Sequence, residues 1–365
     1  MEKIVYVVKN QLHYYPPCIS QIRMLNDMGE NVEVLYGTSN EAILKILKNE
    51  GINCIRIPNI SDDNSTKLKK IKIWLNYRNS MKKIFKGYGD NTLFWFGTAE
   101  SVLPLLGMIG SKSYVCFVLE LLDEFKIKLF FLKKIMQNAK AVCVCEQTRA
   151  YLQQSWWKLK ELPYIFPNKP YKPVKITADL KSNQLDEALN KIGNTKFILY
   201  QGILQNKEEL IEIAKSLNTT RNHYKFVLMG IDKYGCIDEI KKYYDDLIYI
   251  KYIPAPLHLE ITKRAHIGIA YYRPDSLNKV FCAPNKIYEY SGFGVPIICN
   301  NIPGLTNTVG NMKAGKCIIL KKEYIKKAID DIDENYDEYK KNAFAFFDST
   351  DNYLTMEHLI EEIKR

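Results

Sequence analysis

Short apolar segments alternate with amphipathic stretches of helix length along the whole chain, and this alternation limits the fold more than any other feature. The apolar segments are rich in β-branched and aromatic residues, which is typical of buried strands. In the first half they are 3–8, 32–36, 53–57, 92–96, 113–119 and 140–145. Helices are predicted near 17–28, 40–50, 65–87, 99–109, 123–138 and 146–154. This order predicts a parallel sheet with helices on both faces.

A proline-rich segment interrupts the pattern near the middle of the chain. Residues 163–174 contain four prolines in twelve positions, and proline disfavours helix and sheet interiors. The alternation then restarts, with strands predicted at 196–201, 224–229, 247–250, 266–271, 295–299 and 316–320.

The sequence therefore predicts an α/β protein with two doubly wound parallel-sheet domains. These are expected over 1–165 and 181–340, with a linker over 166–180. Helices are expected over 341–365 and could pack back on the first domain. Ligands of such sheets bind at the carboxyl ends of the strands, so the expected site is a cleft between the domains.

Positive charge lies mainly in the first half of the chain. The 365 residues carry a net charge of +11, and residues 1–170 hold 24 Lys and Arg against 15 Asp and Glu, a net of +9. A basic domain beside a nearly neutral one indicates an anionic partner, either the inner leaflet of a membrane or nucleic acid.

Neither a membrane-spanning segment nor a secretion signal is evident in the sequence. No run of about 18 apolar residues occurs, and the first ten residues read as a strand. A cytoplasmic location is therefore expected. The nine cysteines lack the spacing of a zinc site, and the close pair Cys143 and Cys145 has no second pair to complete one. Reduced, buried thiols and no metal site are expected.

The segment 278–304 is the most informative part of the chain and reads as a loop, a helix and a strand. The helix is predicted over 285–293, with Pro284 at the helix start, a position that favours proline. Free N–H groups at such a start can hold a phosphate, and Lys286 would add a positive charge. Glu289 lies one turn further along, where its carboxylate could accept the hydroxyl groups of a ribose.

This segment resembles the donor-site signature of glycosyltransferase family 4 and its GT-B relatives. The resemblance is carried by Pro284-Asn285-Lys286-Ile287-Tyr288-Glu289-Tyr290 and Gly294-Val295-Pro296-Ile297-Ile298. It implies two Rossmann-like domains, a UDP- or GDP-sugar as donor, and sugar transfer with retention of the anomeric configuration. In this family, the glutamate that matches Glu289 typically binds the ribose, and the loop before it meets the diphosphate and the sugar.

Two positions depart from the family pattern. Many members carry another glutamate eight residues earlier, where this chain has Phe281. Many also have Gly-Arg and then a lysine after the first strand of this domain; here Gly202 is followed by Ile203, and Lys207 is an approximate match for the lysine. Four cations are then candidates to meet the charge of the diphosphate: Lys207, Arg273, Lys279 and Lys286.

Two carboxylates and one histidine are candidates for the acceptor side. Glu100 and Glu120 follow predicted strands, where either could act as a general base on a sugar hydroxyl. By resemblance, Glu120 matches an acidic residue of related sequences. Each has a structural alternative, as a charge at a helix start for Glu100 and as a capping group for Glu120. His13, in the loop after the first strand, could be catalytic or structural, whereas His266 reads as a core residue.

Residues 64–88 are predicted to form a basic amphipathic helix. Its apolar side is formed by Leu68, Ile71, Leu75, Met81 and Phe85, with Trp74 beside it. Segments 126–136 and 156–160 repeat this mixture of lysines and large apolar residues. Such helices can lie in a bilayer interface, or can cover a sheet and keep one face in water. Their position in the basic half favours a membrane, and members of the family often build bacterial surface glycans on lipid carriers.

Together these features predict a glycosyltransferase that moves a sugar from a nucleotide-sugar donor to a glycan or lipid-linked acceptor. Its expected place is the inner face of the cell membrane, in bacterial surface polysaccharide synthesis, with no cofactor besides the donor. A GT-B-type sugar-nucleotide epimerase and a catalytically degenerate, membrane-associated binding protein remain alternatives. Nucleic-acid binding would explain the charge but not the donor segment.

Overall fold

The computed structural model describes residues 1–60, 66–172 and 182–365. The chain divides into two compact units, Met1–Pro173 with Asp351–Arg365, and Val174–Thr350. Part of the predicted linker, 173–180, lies outside the described residues.

Each unit is built around one parallel β-sheet. The strands of the first unit are β1 Lys3–Gln11, β2 Val32–Thr38, β3 Asn53–Arg56, β4 Thr92–Phe96, β5 Ser113–Val118, β6 Ala141–Val144 and β7 Tyr164–Ile165. Those of the second are β8 Phe197–Gln201, β9 Lys225–Met229, β10 Leu247–Ile250, β11 Ile267–Ala270, β12 Ile297–Asn300 and β13 Gly315–Ile318. All the predicted strands are confirmed. Strand β7 was not among them, because it has two residues and stands among the prolines that indicated a linker.

Helices cover both sheets. In chain order they are α1 Pro16–Asp27, α2 Glu41–Asn49, α3 Lys67–Lys86, α4 Ala99–Val102, α5 Lys126–Gln137, α6 Gln147–Trp157, α7 Asn183–Ile192, α8 Lys207–Leu217, α9 Ile237–Lys241, α10 Leu259–Thr262, α11 Leu277–Val280, α12 Asn285–Ser291, α13 Pro303–Leu305, α14 Lys322–Glu334, α15 Tyr336–Asp348 and α16 Asn352–Lys364.

The single helix predicted over 99–109 is wrong. Helix α4 ends at Val102, and a 3₁₀ turn, Leu103–Leu105, follows it. Pro104 has no N–H to donate to the preceding turn, so α-helical hydrogen bonding cannot continue through it.

The first sheet has the strand order β3-β2-β1-β4-β5-β6-β7. The order reverses beside β1, so the chain leaves β1 and β4 toward opposite faces, which opens a crevice at their carboxyl ends. Successive side chains of β1 point to opposite faces, and both sets are buried. On one face Val5 and Val7 pack in a cluster with residues of α3 and α5. On the other, the Tyr6 hydroxyl donates to Gln21 of α1 at 2.7 Å.

The second sheet has the order β10-β9-β8-β11-β12-β13, and its order reverses between β8 and β11. Helix α12 lies over this point, because the Tyr290 hydroxyl stands 3.1 Å from the Leu199 carbonyl of β8 and 3.3 Å from the Ile269 carbonyl of β11. Gly268 makes room for the ring, since a Cβ there would lie 2.5 Å from it. The sequence that resembles a donor site is therefore seated at the switch point of this sheet.

Helix α16 belongs to the first unit. Asn352 Nδ2 donates to the Pro167 carbonyl at 2.8 Å, and the ring of Tyr353 stacks on Tyr171 with centroids 6.0 Å apart. Helix α15 instead packs in the second unit, where Phe346 stacks on Tyr288 of α12 at 5.0 Å.

Candidate functional site

Two glycines shape the carboxyl edge of the second sheet. Gly202 directly follows β8 with a φ of +119°, and Gly230 follows β9 with a φ of +146°. Both values lie in the left-handed region that favours glycine. A Cβ on Gly230 would stand 1.9 Å from the carbonyl oxygen of Gly202, so the two loops approach more closely than any side chain would allow.

Helix α12 differs in its bounds from the helix predicted over 285–293. Pro284 is not its first residue but the extended residue before it, with φ −78° and ψ 138°. The helix has seven residues and ends at Ser291. Gly294 then turns the chain into β12 with a φ of +66°, where a Cβ would lie 2.4 Å from the ring of Phe344.

The carboxylate of Glu289 lies inside a set of polar side chains. Its side chain is 11% exposed. Gln201 Nε2 donates to Glu289 Oε2 at 2.5 Å, and His258 Nε2 stands 3.4 Å from Glu289 Oε1. Behind them, the Thr262 hydroxyl donates to Gln201 Oε1 at 2.8 Å. The carboxylate is therefore held by Gln201 at one oxygen and bordered by a histidine ring at the other.

Lys286 brings a positive charge to the same edge. Its Nζ lies 4.7 Å from the ring centroid of Tyr200 and 5.3 Å from that of Tyr272. A Cβ on Gly202 would stand 3.3 Å from this Nζ, so the lysine reaches the loop after β8. Burial lowers the pKa of Lys286 to about 8, although the negative charge of Glu289 opposes the shift. An anion bound here would favour the protonated lysine.

The other three predicted cations each form an ion pair with a carboxylate. The ion pairs join Lys207 to Glu239 at 2.8 Å, Arg273 to Glu208 and Glu209, and Lys279 to Asp275 at 2.7 Å. Over the described ranges, Lys286 has no carboxylate within ion-pair distance. Of the four candidates, Lys286 is thus the best placed for an anionic ligand.

In the first unit, the negative charges of Glu100 and Glu120 both act on the phenol of Tyr15. Asn10 Nδ2 donates to Glu100 Oε2 at 2.5 Å and stands 3.4 Å from the Tyr15 hydroxyl. Burial raises the pKa of Tyr15, and the negative charges of Glu100 and Glu120 raise it further. Both carboxylates are exposed. The two candidate bases therefore both lie at the carboxyl edge of the first sheet, within electrostatic range of Tyr15.

His13 and Lys9 border this group of side chains. His13 lies in the 3₁₀ turn Leu12–Tyr14 after β1, with its ring 4.3 Å from that of Tyr14. Burial lowers the pKa of Lys9; the charge of Glu100 opposes the shift, and that of Lys128 adds to it. Lys9 therefore lies within electrostatic range of both Glu100 and Lys128.

The prediction that His266 is a core residue is confirmed. It is 8% exposed, and its Nε2 lies 2.7 Å from Asp333 Oδ1. Its ring stacks on Tyr336 with centroids 4.2 Å apart.

Sequence analysis missed Gln201, His258 and Thr262 beside Glu289. Gln201 had a signal, because it is a polar amide at the end of an apolar strand and directly precedes a glycine. Thr262 and His258 come from the region of α10, and no spacing in the sequence connects them with α12. Asn10, beside Glu100, was missed for the same reason.

The predicted apolar side of the basic helix divides into two parts in α3. Met81 and Phe85 belong to the core, so neither is available to enter a membrane. Four large apolar residues in the first half of α3 are exposed: Leu68, Ile71, Trp74 and Leu75. In the segment 156–160, Trp157 is also a core residue.

Helix α5 presents a second exposed apolar group next to α3. It consists of Phe125, Ile127, Phe130 and Phe131. Both helices pack against the 3₁₀ turn Leu103–Leu105, so they are neighbours on one face of the first sheet. Lys69, Lys70, Lys72, Lys126 and Lys134 are exposed among these residues.

No helix in the described part of the chain is long and apolar enough to cross a membrane. Within the same residues, no three His, Cys, Asp or Glu side chains are placed to share a metal ion.

No protein-family model matches this chain, and no curated protein sequence is significantly similar to it. Solved structures are similar in fold. HepE from Anabaena, in complex with UDP and glucose, matches with a TM-score of 0.67 at 11% identity, over 100% of this chain and 99% of that one. Sucrose-phosphate synthase from Thermosynechococcus elongatus matches with a TM-score of 0.67 at 14% identity, over 100% of this chain and 98% of that one.

A UDP-N-acetylglucosamine 2-epimerase-like protein from Listeria monocytogenes is also similar. Its TM-score is 0.65 at 12% identity, over 100% of this chain and 96% of that one. Identities this low show the fold alone. The predicted fold class is thereby confirmed: the two parallel-sheet α/β units are those of GT-B proteins.

Proposed function

We propose that this GT-B protein is a glycosyltransferase that takes a sugar from a nucleotide-sugar donor. The observation that carries the proposal is the pairing, at the switch point of the second sheet, of a held carboxylate with a partly buried lysine. Glu289 and Lys286 present the two groups that a nucleoside diphosphate needs, an acceptor for ribose hydroxyls and a cation for phosphate. HepE, a fold relative, was crystallised with UDP.

In this proposal the second unit binds the donor. The Glu289 carboxylate accepts hydrogen bonds from the ribose, which are stronger than neutral ones because the acceptor is charged. The Lys286 ammonium faces the diphosphate. As the bond between the sugar and the diphosphate breaks, negative charge grows on the leaving group, and a positioned cation stabilises it. No cofactor besides a UDP- or GDP-sugar is part of the proposal.

The first unit would receive the acceptor, a glycan or a lipid-linked sugar. Glu120 or Glu100 would take the proton of the attacking hydroxyl, and His13 lies at the same edge of the sheet. A positioned base of this kind contributes about 10²–10⁴-fold to the rate. Retention of the anomeric configuration and a role in bacterial surface polysaccharide synthesis rest on the resemblance to glycosyltransferase family 4.

We also propose that the first unit docks on an anionic membrane surface, at the inner face of the cell membrane. Exposed apolar residues on α3 and α5 stand among exposed lysines on one face of the first sheet. Near an anionic surface each Lys or Arg contributes about 1 kcal/mol, and inserted aromatic rings add to this. A lipid-linked acceptor would be met at that surface.

A sugar-nucleotide epimerase is the second candidate. It is favoured by the match to the epimerase-like protein from Listeria monocytogenes over the whole chain. An epimerase needs no acceptor, so incubation with a labelled nucleotide sugar alone separates the two functions. A change of the sugar within the nucleotide would support the epimerase.

A thermal-shift panel of UDP- and GDP-sugars tests donor binding directly. A ligand that binds only the folded protein raises its melting temperature as its concentration exceeds Kd. At least one nucleotide sugar should raise the melting temperature of the wild type, and the shift should be lost in Glu289→Ala. If no member of the panel changes the melting temperature, a donor-binding function is wrong.

A further inference from the structure

A chain of three side chains runs from the core of the second unit to the carboxylate of Glu289. The Thr262 hydroxyl lies 2.8 Å from Gln201 Oε1, and Gln201 Nε2 lies 2.5 Å from Glu289 Oε2. A carboxylate can only accept, so the NH₂ end of the amide must face Glu289. The carbonyl end is then left to accept from the hydroxyl of Thr262. Every donor in this chain therefore points toward Glu289.

Burial gives this arrangement its rigidity. Thr262 is 0% exposed and Gln201 is 5% exposed. Gln201 is also the last residue of β8, where its Cα is paired with that of Met229 on β9. Reversing the amide would place its oxygen against the carboxylate, and this contact is repulsive because neither group carries a hydrogen. The amide has one stable orientation.

The second oxygen of the carboxylate has its own neighbour. His258 Nε2 stands 3.4 Å from Glu289 Oε1, so the histidine ring borders this oxygen without a hydrogen bond to it. The orientation of the carboxylate is therefore set by the hydrogen bond from Gln201. Lone pairs remain on both oxygens for a ligand, since each carboxylate oxygen has two.

We infer that Gln201 is a positioning residue that makes Glu289 select ribose over 2′-deoxyribose. This inference rests on the proposed function, because it places the ribose of a nucleotide at Glu289. Two neighbouring hydroxyls can bond a carboxylate together only when its plane is held at one angle. A carboxylate free to rotate would bind either hydroxyl alone, and the 2′-hydroxyl would then add little. The hydrogen bond from Gln201 to Glu289 therefore allows the 2′-hydroxyl to contribute to nucleotide affinity.

The test compares affinities for UDP and 2′-deoxy-UDP by calorimetry in the wild type and in Gln201→Met. The guanine pair is used instead if GDP binds more tightly. We expect the wild type to prefer the ribonucleotide by about tenfold to a hundredfold, the range for one hydrogen bond to a charged group. In Gln201→Met, which keeps the length of the side chain without its donor, the preference should fall to about threefold or less.

Thr262 supplies a matched pair of variants that leaves Gln201 in place. Thr262→Ser keeps the hydroxyl and should keep the preference, whereas Thr262→Val removes the hydroxyl at similar shape and should reduce it. This pair keeps the inference testable if Gln201→Met does not fold. Circular dichroism and melting temperature report on the fold of each variant.

The outcomes separate this inference from the proposed function. Equal weakening of both nucleotides in Gln201→Met, or an unchanged preference, would mean that Gln201 has a structural role only. If the wild type binds UDP and 2′-deoxy-UDP with equal affinity, the inference is wrong and the proposal of donor binding is unaffected. A wild type that binds neither UDP nor GDP overturns both.

Discussion

Glu289 is the residue whose replacement tests the donor site most simply. Glu289→Ala removes two hydrogen bonds to a charged acceptor, each worth about 1.5–3 kcal/mol, so nucleotide affinity should fall at least about a hundredfold. Because the variant leaves the buried Gln201 amide without its acceptor, we expect a small drop in the melting temperature of the free protein and an intact fold. Calorimetry with UDP and GDP measures the loss. Unchanged affinity in a folded variant would remove Glu289 from the site.

The lowered pKa of Lys286 predicts that donor binding depends on pH. Burial lowers its pKa to about 8, so in the free protein it loses its proton as the pH rises through that value. A bound diphosphate favours the charged form and raises the pKa. Affinity for UDP should therefore be highest below pH 8 and fall by up to about tenfold per pH unit above it.

Lys286→Arg is the control, because a guanidinium stays charged over the whole range. Calorimetry at pH 7 and pH 9 should show a drop in the wild type and almost none in this variant. The same drop in both proteins would assign the dependence to another group.

Glu120 and Glu100 are both candidates for the general base, and the negative charges of both act on Tyr15. Glu120→Gln should lower turnover by about 10²–10⁴-fold with little change in donor affinity. Glu100→Gln is the matched variant, since it removes the same charge from the same edge. Loss of activity in Glu100→Gln with near-full activity in Glu120→Gln would reverse the assignment. Full activity in both would mean that neither is the base.

At the scale of elements, the basic surface of α3 predicts binding to anionic lipid. Replacing Lys69, Lys70, Lys82 and Lys83 by Ser removes four positive charges, each worth about 1 kcal/mol near an anionic surface. Flotation with anionic vesicles at low salt should carry the wild type to the vesicle fraction and leave the variant behind. High salt should release the wild type, because it screens the attraction.

Four exposed lysines of the second unit supply the matched control. They are Lys191, Lys196, Lys241 and Lys242. Their replacement by Ser changes net charge equally and should leave vesicle binding intact. Wild-type protein that stays soluble with anionic vesicles at low salt would contradict membrane docking, and a soluble acceptor would then be favoured.

The elements could be predicted from the sequence where burial alone decides them. A strand buried on both faces is an apolar run, and central strands such as β1, β4 and β5 could be predicted on this ground. The edge strand β3 is mostly exposed and was predicted from its place in the alternation. The helix predicted over 99–109 is interrupted by the turn that contains Pro104, and β7 was not predicted because it has only two residues and lies among prolines. Contacts within the site could not be predicted, because Gln201, Thr262 and Glu289 meet only after three separate elements fold.

At the scale of the molecule, the chain shares a fold with proteins whose sequences differ widely from its own. Identities of 11% and 14% accompany TM-scores of 0.67. A parallel sheet needs apolar strands and covering helices, which many sequences satisfy, so fold is predictable at this distance. In the proposed function, the choice of sugar and acceptor would depend on single side chains, such as Phe281 at the position where the resemblance expects a glutamate, and the alternation of elements carries no information about that choice.

Transfer of a sugar from a nucleotide to an acceptor is tested by incubating the wild type with a radiolabelled form of each nucleotide sugar that raises its melting temperature, together with anionic vesicles that contain bacterial lipid extract. We expect label in the lipid or polymer fraction, release of an equal amount of nucleoside diphosphate, and loss of both in Glu289→Ala. Label that stays in the nucleotide sugar, unchanged or converted to its epimer, would contradict the proposed transfer.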